Sequence, residues 1–143
     1  MGEIRVKVLL VNDCDLSLHR RGRLPKKKIR SAEIEAVVDT GAVMVLLPQD
    51  IVGRLGLNKF DKRIVILAND QKVEMEIAGP LSLTIGDRRM NTDCLVGPPG
   101  CEPLVGQLVM EALDLIADPT RRTLTPRPES PYLPTLKLKS LVA

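Results

Sequence analysis

The sequence has almost no aromatic residues and only one histidine. Its 143 residues include one Phe, one Tyr and no Trp, so the core must be built from Val, Ile, Leu and Met. Proteins that bind single-stranded nucleic acid usually stack bases on aromatic rings, which this chain can barely supply. His19 alone excludes a multi-histidine metal centre within one chain. We therefore expect no metal and no cofactor.

Cysteine is also scarce. Cys14, Cys94 and Cys101 are odd in number and show no Cys-x-x-Cys spacing, which argues against a disulfide framework and a zinc site. A reducing, cytoplasmic location fits this pattern best. The N-terminus is charged from its third residue, so it does not resemble a signal peptide. Apolar runs are short, as at Val43–Leu47, so we expect no membrane partner.

Positive charge is concentrated in one segment. Residues 19–30 contain seven of the 21 Lys and Arg residues and no acid, whereas the rest of the chain carries 14 basic and 18 acidic residues. Such a segment is either a phosphate-contacting arm or a solvated loop between two strands. The loop interpretation is favoured because no aromatic residues are interleaved with the cations. We therefore do not expect a nucleic-acid partner, and we interpret His19 as a solvated side chain.

Hydrophobic periodicity predicts a mostly β protein. Alternation over residues 4–8 indicates a first strand, and turn residues follow at 12–15. Pro48 and Gly106 each introduce a short helix, and Asn69-Asp70 is typical of a hairpin turn. Many short strands separated by turn signals favour a β-barrel or sandwich. Further strands are predicted at 29–38, 42–47, 63–67, 73–77, 81–85, 90–96, 115–117 and 123–125, with helices at 49–55 and 107–113.

The motif that carries chemistry is Asp39-Thr40-Gly41-Ala42, which directly follows an apolar run at 36–38. An Asp between two apolar runs is costly unless its carboxylate is hydrogen-bonded or neutralised. Gly41 lets backbone N–H groups approach that carboxylate, and Thr40 adds a hydroxyl that can bind a partner segment. The motif therefore indicates a loop that presents a carboxylate on rigid supports. Residues 103–106 also precede a helix, a faint sign of two related half-units.

These elements together resemble a known family. The chain is similar to the retropepsins, the retroviral-type (clan AA) aspartic proteases, in a bacterial free-standing form. Similarity is carried by the order of four features across roughly 33–124: Asp39-Thr40-Gly41-Ala42, the hairpin at Asn69-Asp70, Leu95-Val96-Gly97-Pro98, and Leu104-Val105-Gly106 followed by a helix. The whole ordered set is far more specific than Asp-Thr-Gly alone.

The resemblance implies a mostly β, retropepsin-like closed barrel (the acid-protease fold) with one or two short helices. We expect the domain to span 1–125. The basic arm 19–30, inserted between strands, and a tail over 126–143, which its prolines predict to be extended or disordered, are additions to the family pattern. The resemblance also implies Asp39 as the catalytic residue, active-site support from Thr40, Gly41, Ala42, Val105 and Gly106, and a substrate-binding flap at Leu67, Ala68, Asn69 and Asp70.

A second implication concerns assembly. In this family two aspartates face each other and share one proton, because like charges a few ångströms apart do not both ionise. The sequence contains one Asp-Thr-Gly, and neither Asp114 nor Asp118 lies in a matching pattern. The resemblance therefore implies a homodimer in which each subunit contributes Asp39, acting on an extended peptide or protein substrate.

Three functions remain open from the sequence. The first is an aspartic endopeptidase, which the intact Asp-Thr-Gly-Ala favours because a retired site need not keep a buried carboxylate. The second is a retropepsin-like protein-interaction module with little or no catalytic activity. The third is a small nucleic-acid binder with a basic arm.

Overall fold

The computed structural model describes residues 3–141, so the first two residues of the expected domain and the last two of the expected tail lie outside it. Nine strands and three α-helices form within these residues, with a short 3₁₀ turn at Lys26–Lys28. In chain order they are β1 (Arg5–Asn12), α1 (Asp13–Arg20), β2 (Ser31–Val38), β3 (Val45–Pro48), α2 (Gln49–Arg54), β4 (Asn58–Ile66), β5 (Lys72–Ile85), β6 (Arg88–Gly97), β7 (Leu104–Val105), α3 (Gln107–Leu113), β8 (Leu115–Asp118) and β9 (Thr123–Pro126).

Seven strands form one sheet in the order β1-β2-β7-β3-β6-β5-β4, and β8 pairs with β9 in a separate hairpin. Because β1 also pairs with β5, six of the strands form a closed ring of pairings and β4 extends outward from β5. The mostly β fold predicted from the sequence is confirmed. Two pairings are parallel, β2 with β7 and β3 with β6, and these bring the two glycine-terminated runs together.

The core lies inside this ring and is aliphatic. Val8 and Leu10 of β1 and Leu81 and Leu83 of β5 are at most 1% exposed, on alternating positions of their strands. Both aromatic residues of the chain, Phe60 and Tyr132, are exposed. The core therefore contains no aromatic ring and consists of aliphatic side chains and a thiol. Leu55 and Leu113, at the ends of α2 and α3, are also fully buried and cover the ring.

The helix content differs from the expectation of one or two short helices. Within residues 3–141 there are three, because the turn expected at 12–15 is the start of α1. The Asn12 side-chain oxygen accepts a hydrogen bond from the Asp15 backbone N–H at 3.0 Å, which is an N-cap. Asn and Asp favour both turns and helix starts, so the sequence pattern does not separate the two.

Strand limits differ in several places, and β4 begins at Asn58, five residues before the expected start. β2 begins at Ser31 and β3 at Val45, each three residues or less inside the expected span. β5 is one strand of 14 residues where two were expected, because its first half pairs with β4 and its second half with β1. Pro80 lies at a register shift in the pairing of β5 with β6, where the N–H that proline lacks is not needed for the ladder.

Residues 127–141 contain no helix or strand, in keeping with a proline-rich tail. They are nevertheless attached to the body. The Asp114 carboxylate accepts hydrogen bonds from the Arg127 guanidinium, the Ser130 hydroxyl and the Thr135 backbone N–H. Ser130 is 4% exposed, so the first part of the tail packs against the end of α3.

Candidate active site

The loop that carries Asp39 begins where β2 ends. Val38 pairs with Val105 of β7, and the Asp39 backbone N–H donates to the Val105 carbonyl at 2.9 Å. Val105 is 1% exposed, so this anchor lies in the core. Asp39 is therefore held at the end of a buried strand, which fixes its backbone more firmly than a solvent-exposed loop would.

The Asp39 carboxylate is half-buried and lightly bonded. Its Oδ1 accepts a hydrogen bond from the Gly41 backbone N–H at 2.9 Å. A side chain at Gly41 would place its Cβ 3.3 Å from that oxygen, so glycine allows the close approach. Oδ2 has no hydrogen-bond partner among residues 3–141, which leaves acceptor capacity free for a ligand.

Helix α3 holds the other end of the loop. The Gln107 N–H donates to the Ala42 carbonyl at 2.7 Å, and the Leu108 N–H donates to the Val43 carbonyl at 3.1 Å. These are orphan donors of the helix start, satisfied by the loop. A Cβ on Gly106 would lie 2.7–2.8 Å from three loop carbonyl oxygens, so only glycine fits there. Both expected support residues, Val105 and Gly106, contact the loop directly.

Thr40 and Gly41 lie on the exposed side of the loop. The Thr40 hydroxyl makes no hydrogen bond to any residue within 3–141. The side of the loop away from α3 is therefore an open polar face.

The β4–β5 hairpin projects from the ring. At its end the Leu67 N–H donates to the Gln71 carbonyl at 2.8 Å, and the Asp70 N–H donates to the Leu67 carbonyl at 2.9 Å. Asp70 has φ 64°, the left-handed conformation that Asp tolerates at hairpin turns. The side-chain oxygen of Asn69 accepts from the Gln71 N–H at 3.0 Å and fixes the turn further. The hairpin turn predicted at Asn69-Asp70 is thus present.

A cleft of about 670 Å³ lies between this hairpin and the Asp39 loop. Asp39 is the only carboxylate among its lining residues, and most of the wall is aliphatic. Of the expected site residues, Asp39, Gly41, Ala42, Leu67 and Ala68 line it, whereas Thr40, Asn69, Asp70, Val105 and Gly106 do not. The other lining residues are Val43, Met44, Leu46, Arg63, Ile64, Val65, Ile66, Met75, Leu95 and Leu104.

Sequence reasoning missed much of this lining. Met44 is of a residue type expected in the core of this aliphatic protein, but it is only half-buried and lines the cleft. Arg63 is the one cation there, and its guanidinium bonds to the Asp61 carboxylate at 2.8 Å. Ile64 and Ile66 are 69% and 64% exposed, and the unbroken apolar run over 64–67 directly before a polar hairpin turn is the sequence signal that could have identified them.

The residues that the structure describes contain neither a candidate metal site nor a helix that could span a membrane. Between residues 3 and 141 no group of three or more His, Cys, Asp or Glu side chains is placed to hold a metal ion. None of the helices in that range is long and apolar enough to cross a membrane.

Comparisons with known proteins match this chain to a family model and to solved structures. A family model described as "gag-polyprotein putative aspartyl protease" matches residues 26–111. The solved structure of the EIAV protease, in complex with the inhibitor HBY-793, matches with a TM-score of 0.55 at 16% identity, over 76% of this chain and 86% of that one. No curated protein matches the sequence. The structural match concerns the fold, and the family model spans both the Asp39 loop and Gly106.

Proposed function

The chain belongs to the gag-polyprotein aspartyl protease family and has the retropepsin fold, and from this premise we propose that it is an aspartic endopeptidase that acts as a homodimer. The observation that carries the proposal is Asp39, a lightly bonded carboxylate on a buried anchor, which opens into an apolar cleft beneath a hairpin.

A second copy completes the site chemically. Hydrolysis of an amide by carboxylates needs one group that accepts a proton and one that donates, and this cleft contains one carboxylate. Two Asp39 side chains brought together would share a proton, because two adjacent negative charges repel. The open face at Thr40 and Gly41 offers an unbonded hydroxyl to such a partner copy. Twofold symmetry makes both contributions equivalent.

The reaction follows from the shared proton. The ionised carboxylate takes a proton from water as the water oxygen bonds to the peptide carbonyl carbon, while the protonated carboxyl donates to the carbonyl oxygen. Collapse of the tetrahedral gem-diol breaks the C–N bond: the proton held by the first carboxylate passes to the leaving nitrogen, and a hydroxyl proton of the gem-diol returns to the second carboxylate as the C=O bond of the product acid forms. No metal or cofactor is needed for this sequence.

The substrate that suits the cleft is an extended peptide. Strand β4 pairs on one side only, with β5, so its other edge can accept main-chain hydrogen bonds. Ile64, Val65 and Ile66 bring aliphatic surface to the same cleft as Met75 and Leu95. We propose that the β4–β5 hairpin is a flap that closes on apolar side chains of the substrate and excludes water.

The state of the cysteine thiols supports a proposal for where in the cell the protein acts. All three cysteines are free, and Cys94 is buried, where burial first and the neighbouring Asp93 second raise the pKa of its thiol to about 12. Such thiols are stable in a reducing compartment, so we place the reaction in the cytoplasm.

The test is digestion of a peptide library by the full chain and by Asp39→Asn. The amide is nearly isosteric but does not act as a base, so we expect cleavage to disappear. Asp118→Asn, which alters a partly exposed carboxylate at the end of β8, is the matched control and should cleave normally. Retained cleavage in Asp39→Asn contradicts the assignment, and no cleavage by either chain favours the interaction-module alternative.

Assembly is tested by dilution and mixing. Specific activity should fall on dilution, because a monomer holds half a site. Adding excess Asp39→Asn chain to a fixed amount of wild type should reduce activity as mixed dimers form. Activity proportional to concentration at which sedimentation finds only monomer contradicts the dimer.

A further inference from the structure

The basic segment between β1 and β2 is an ordered protrusion, where a solvated loop was expected. We extend the basic arm from residues 19–30 to residues 13–30, so that it includes all of α1, the turn after it and the 3₁₀ turn. Gly22, at φ 74°, ends α1 with its N–H on the His19 carbonyl at 2.9 Å, and the Arg23 N–H returns to the Leu18 carbonyl at 2.9 Å. His19 Nδ1 lies 2.9 Å from the Leu24 carbonyl, so this side chain is not simply solvated.

A clamp fixes the base of the arm. The Asp15 carboxylate, 8% exposed, receives Nε and Nη2 of Arg30 at 2.8 and 3.0 Å and also the Arg30 backbone N–H at 3.0 Å. This bidentate pair joins the start of the arm to its end. The arm is therefore preorganised, which lowers the entropy cost of binding through its surface.

Most of the cations of the arm are unpaired, in contrast to those on β4. On β4, three cations each have a carboxylate partner, in the pairs Lys59–Glu76, Lys62–Glu74 and Arg63–Asp61. In the arm, Arg30 alone has one. Six exposed cations make no ion pair with any residue in the described range, and they are Arg20, Arg21, Arg23, Lys26, Lys27 and Lys28.

The local structure accounts for the position of only some of these six unpaired cations. Arg20 and Arg21 lie at the end of α1, where they offset the negative end of the helix dipole. Lys26, Lys27 and Lys28 form a separate turn with no such helix end, and no acid occurs between residues 16 and 32 to balance them. Three adjacent like charges with no intramolecular partner destabilise the isolated chain, so they indicate an external anion.

The arm also lies away from the cleft. It joins β1 to β2 at the Val11–Ser31 end of their pairing, whereas Asp39 follows the other end of β2. Eight strand residues separate the two, roughly 25 Å at 3.3 Å per residue. The family match begins only at residue 26, so α1 lies outside it. The arm is a surface separate from the peptide cleft.

From this geometry we infer that the basic arm binds the phosphate backbone of double-stranded nucleic acid, without reading sequence. Protein interfaces depend on buried apolar or aromatic anchors, and membrane-surface helices insert an apolar face. The one large hydrophobic side chain exposed on the arm is Leu18, at 40%. Recognition by charge alone suits a regular phosphate polymer. The sequence had favoured a solvated loop between two strands, because no aromatic residues for base stacking are interleaved with the cations.

The experiment measures binding of a mixed-sequence 20-base-pair DNA duplex to the full chain by fluorescence anisotropy, from 50 to 200 mM KCl. We compare wild type with a triple variant, Lys26→Gln, Lys27→Gln and Lys28→Gln. The matched control, Arg121→Gln, Arg122→Gln and Lys137→Gln, removes the same charge from exposed positions after β8. Asp39→Asn is included because the inference is independent of catalysis.

We expect saturable binding with a steep salt dependence, since each phosphate contact contributes a log–log slope of about −0.9. The arm variant should lose at least about 10-fold in affinity at 50 mM salt and flatten the slope by roughly 2 to 3. The control should change less than about 2-fold, and Asp39→Asn should bind as wild type.

Four results overturn the inference. They are no saturable binding at 50 mM KCl, an equal loss in both triple variants, equally tight binding of poly-glutamate, and equally tight binding of vesicles with phosphatidylserine. The last two would assign the arm to an acidic protein or a membrane surface. Circular-dichroism melting shows that each triple variant folds, so a loss of binding reports the arm itself.

Discussion

Asp39 and Asp114 differ sharply in what surrounds them, although each is an Asp next to apolar residues. Asp39 follows β2, and its carboxylate accepts one hydrogen bond, from the Gly41 N–H. Asp114 follows α3 in the left-handed conformation, φ 56°, and its carboxylate accepts from Arg127, Ser130 and Thr135. One carboxylate has capacity to spare for a ligand, and the other has none.

The surroundings of Asp114 make it structural. Hydrogen bonds from Arg127 first, then from Ser130 and the Thr135 N–H, hold the pKa of its carboxyl well below the usual range. Arg88, 3% exposed, donates to the backbone carbonyls of Leu113, Asp114 and Ser130. A carboxylate whose acceptor sites are all filled by hydrogen bonds from the protein stabilises the fold. A carboxylate in a cleft with a free acceptor site can bind a ligand or accept a proton.

The largest expected effect separates the two directly. Asp39→Asn should lower kcat/KM by at least about 10³-fold and leave the Tm unchanged or raised, because a general base is lost from a strand end that stays anchored. Asp114→Asn should lower the Tm by more than about 5 °C and keep the activity of the folded enzyme. Peptide hydrolysis and thermal melts on both variants measure this. The reverse pattern would show that the roles are exchanged.

The hairpin covers Asp39 and has no counterpart over Asp114. Asn69→Pro with Asp70→Pro removes the Asp70 N–H bond and demands a negative φ where the turn has 64°. We expect a loss of about 10²-fold in kcat/KM with the dimer retained, because the flap no longer positions the substrate. Asn69→Gly with Asp70→Gly, which permits the turn, is the control. Steady-state kinetics with sedimentation measure both, and full activity in the proline variant reduces the hairpin to a surface loop.

Gly106 supports the Asp39 loop and does not contact the Asp114 joint. A methyl group there meets three loop carbonyls at 2.7–2.8 Å, so Gly106→Ala should cost about 1–3 kcal/mol and displace Asp39. Gly53→Ala, in α2 with no atom within 4 Å of the new methyl, should be neutral or stabilising. Denaturant melts and kcat/KM measure the contrast. Equal behaviour of the two variants would mean that the loop tolerates the displacement.

Truncation tests the proposed boundary at 125/126 between domain and tail. Ending the chain after Pro126 removes every group that bonds to the Asp114 carboxylate, so the Tm should fall by about 5 °C while cleavage persists. Ending it after Leu136 keeps those bonds and should change the Tm little. In the short chain, Asp114→Asn should raise the Tm, because an unpaired carboxylate is removed. An unchanged Tm after the first truncation would show that the tail is dispensable to the body.

The smallest effect is the pH dependence of stability. Because the folded pKa of Asp114 lies below its unfolded value of about 3.9, its contribution is complete above that pH and is lost as pH falls below it. The Tm difference between wild type and Asp114→Asn should therefore be constant from pH 7 to pH 5 and shrink toward pH 2.5. Asp39→Asn serves as the comparison. A Tm difference that grows on acidification contradicts the linkage.

Local patterns determined the fold class and the position of the Asp-Thr-Gly motif. Asp39-Thr40-Gly41, the turn residues Asn69-Asp70 and the glycine before α3 each act through neighbouring residues, so their conformations are written in short stretches of sequence. The ordered set of these features is specific enough to identify the family, which the match over 26–111 confirms.

Only the tertiary structure decided the rest. An eight-residue helix such as α1 is marginal alone, and it forms here with the Asp15–Arg30 clamp and the bond from Asn12 to the distant Leu55 carbonyl. Likewise, nothing near Asp114 in sequence reveals that Arg127, Ser130 and Thr135 saturate it, while Asp39 stays open. Both outcomes depend on contacts between residues 13 or more apart, and periodicity and propensity carry no information on such pairings.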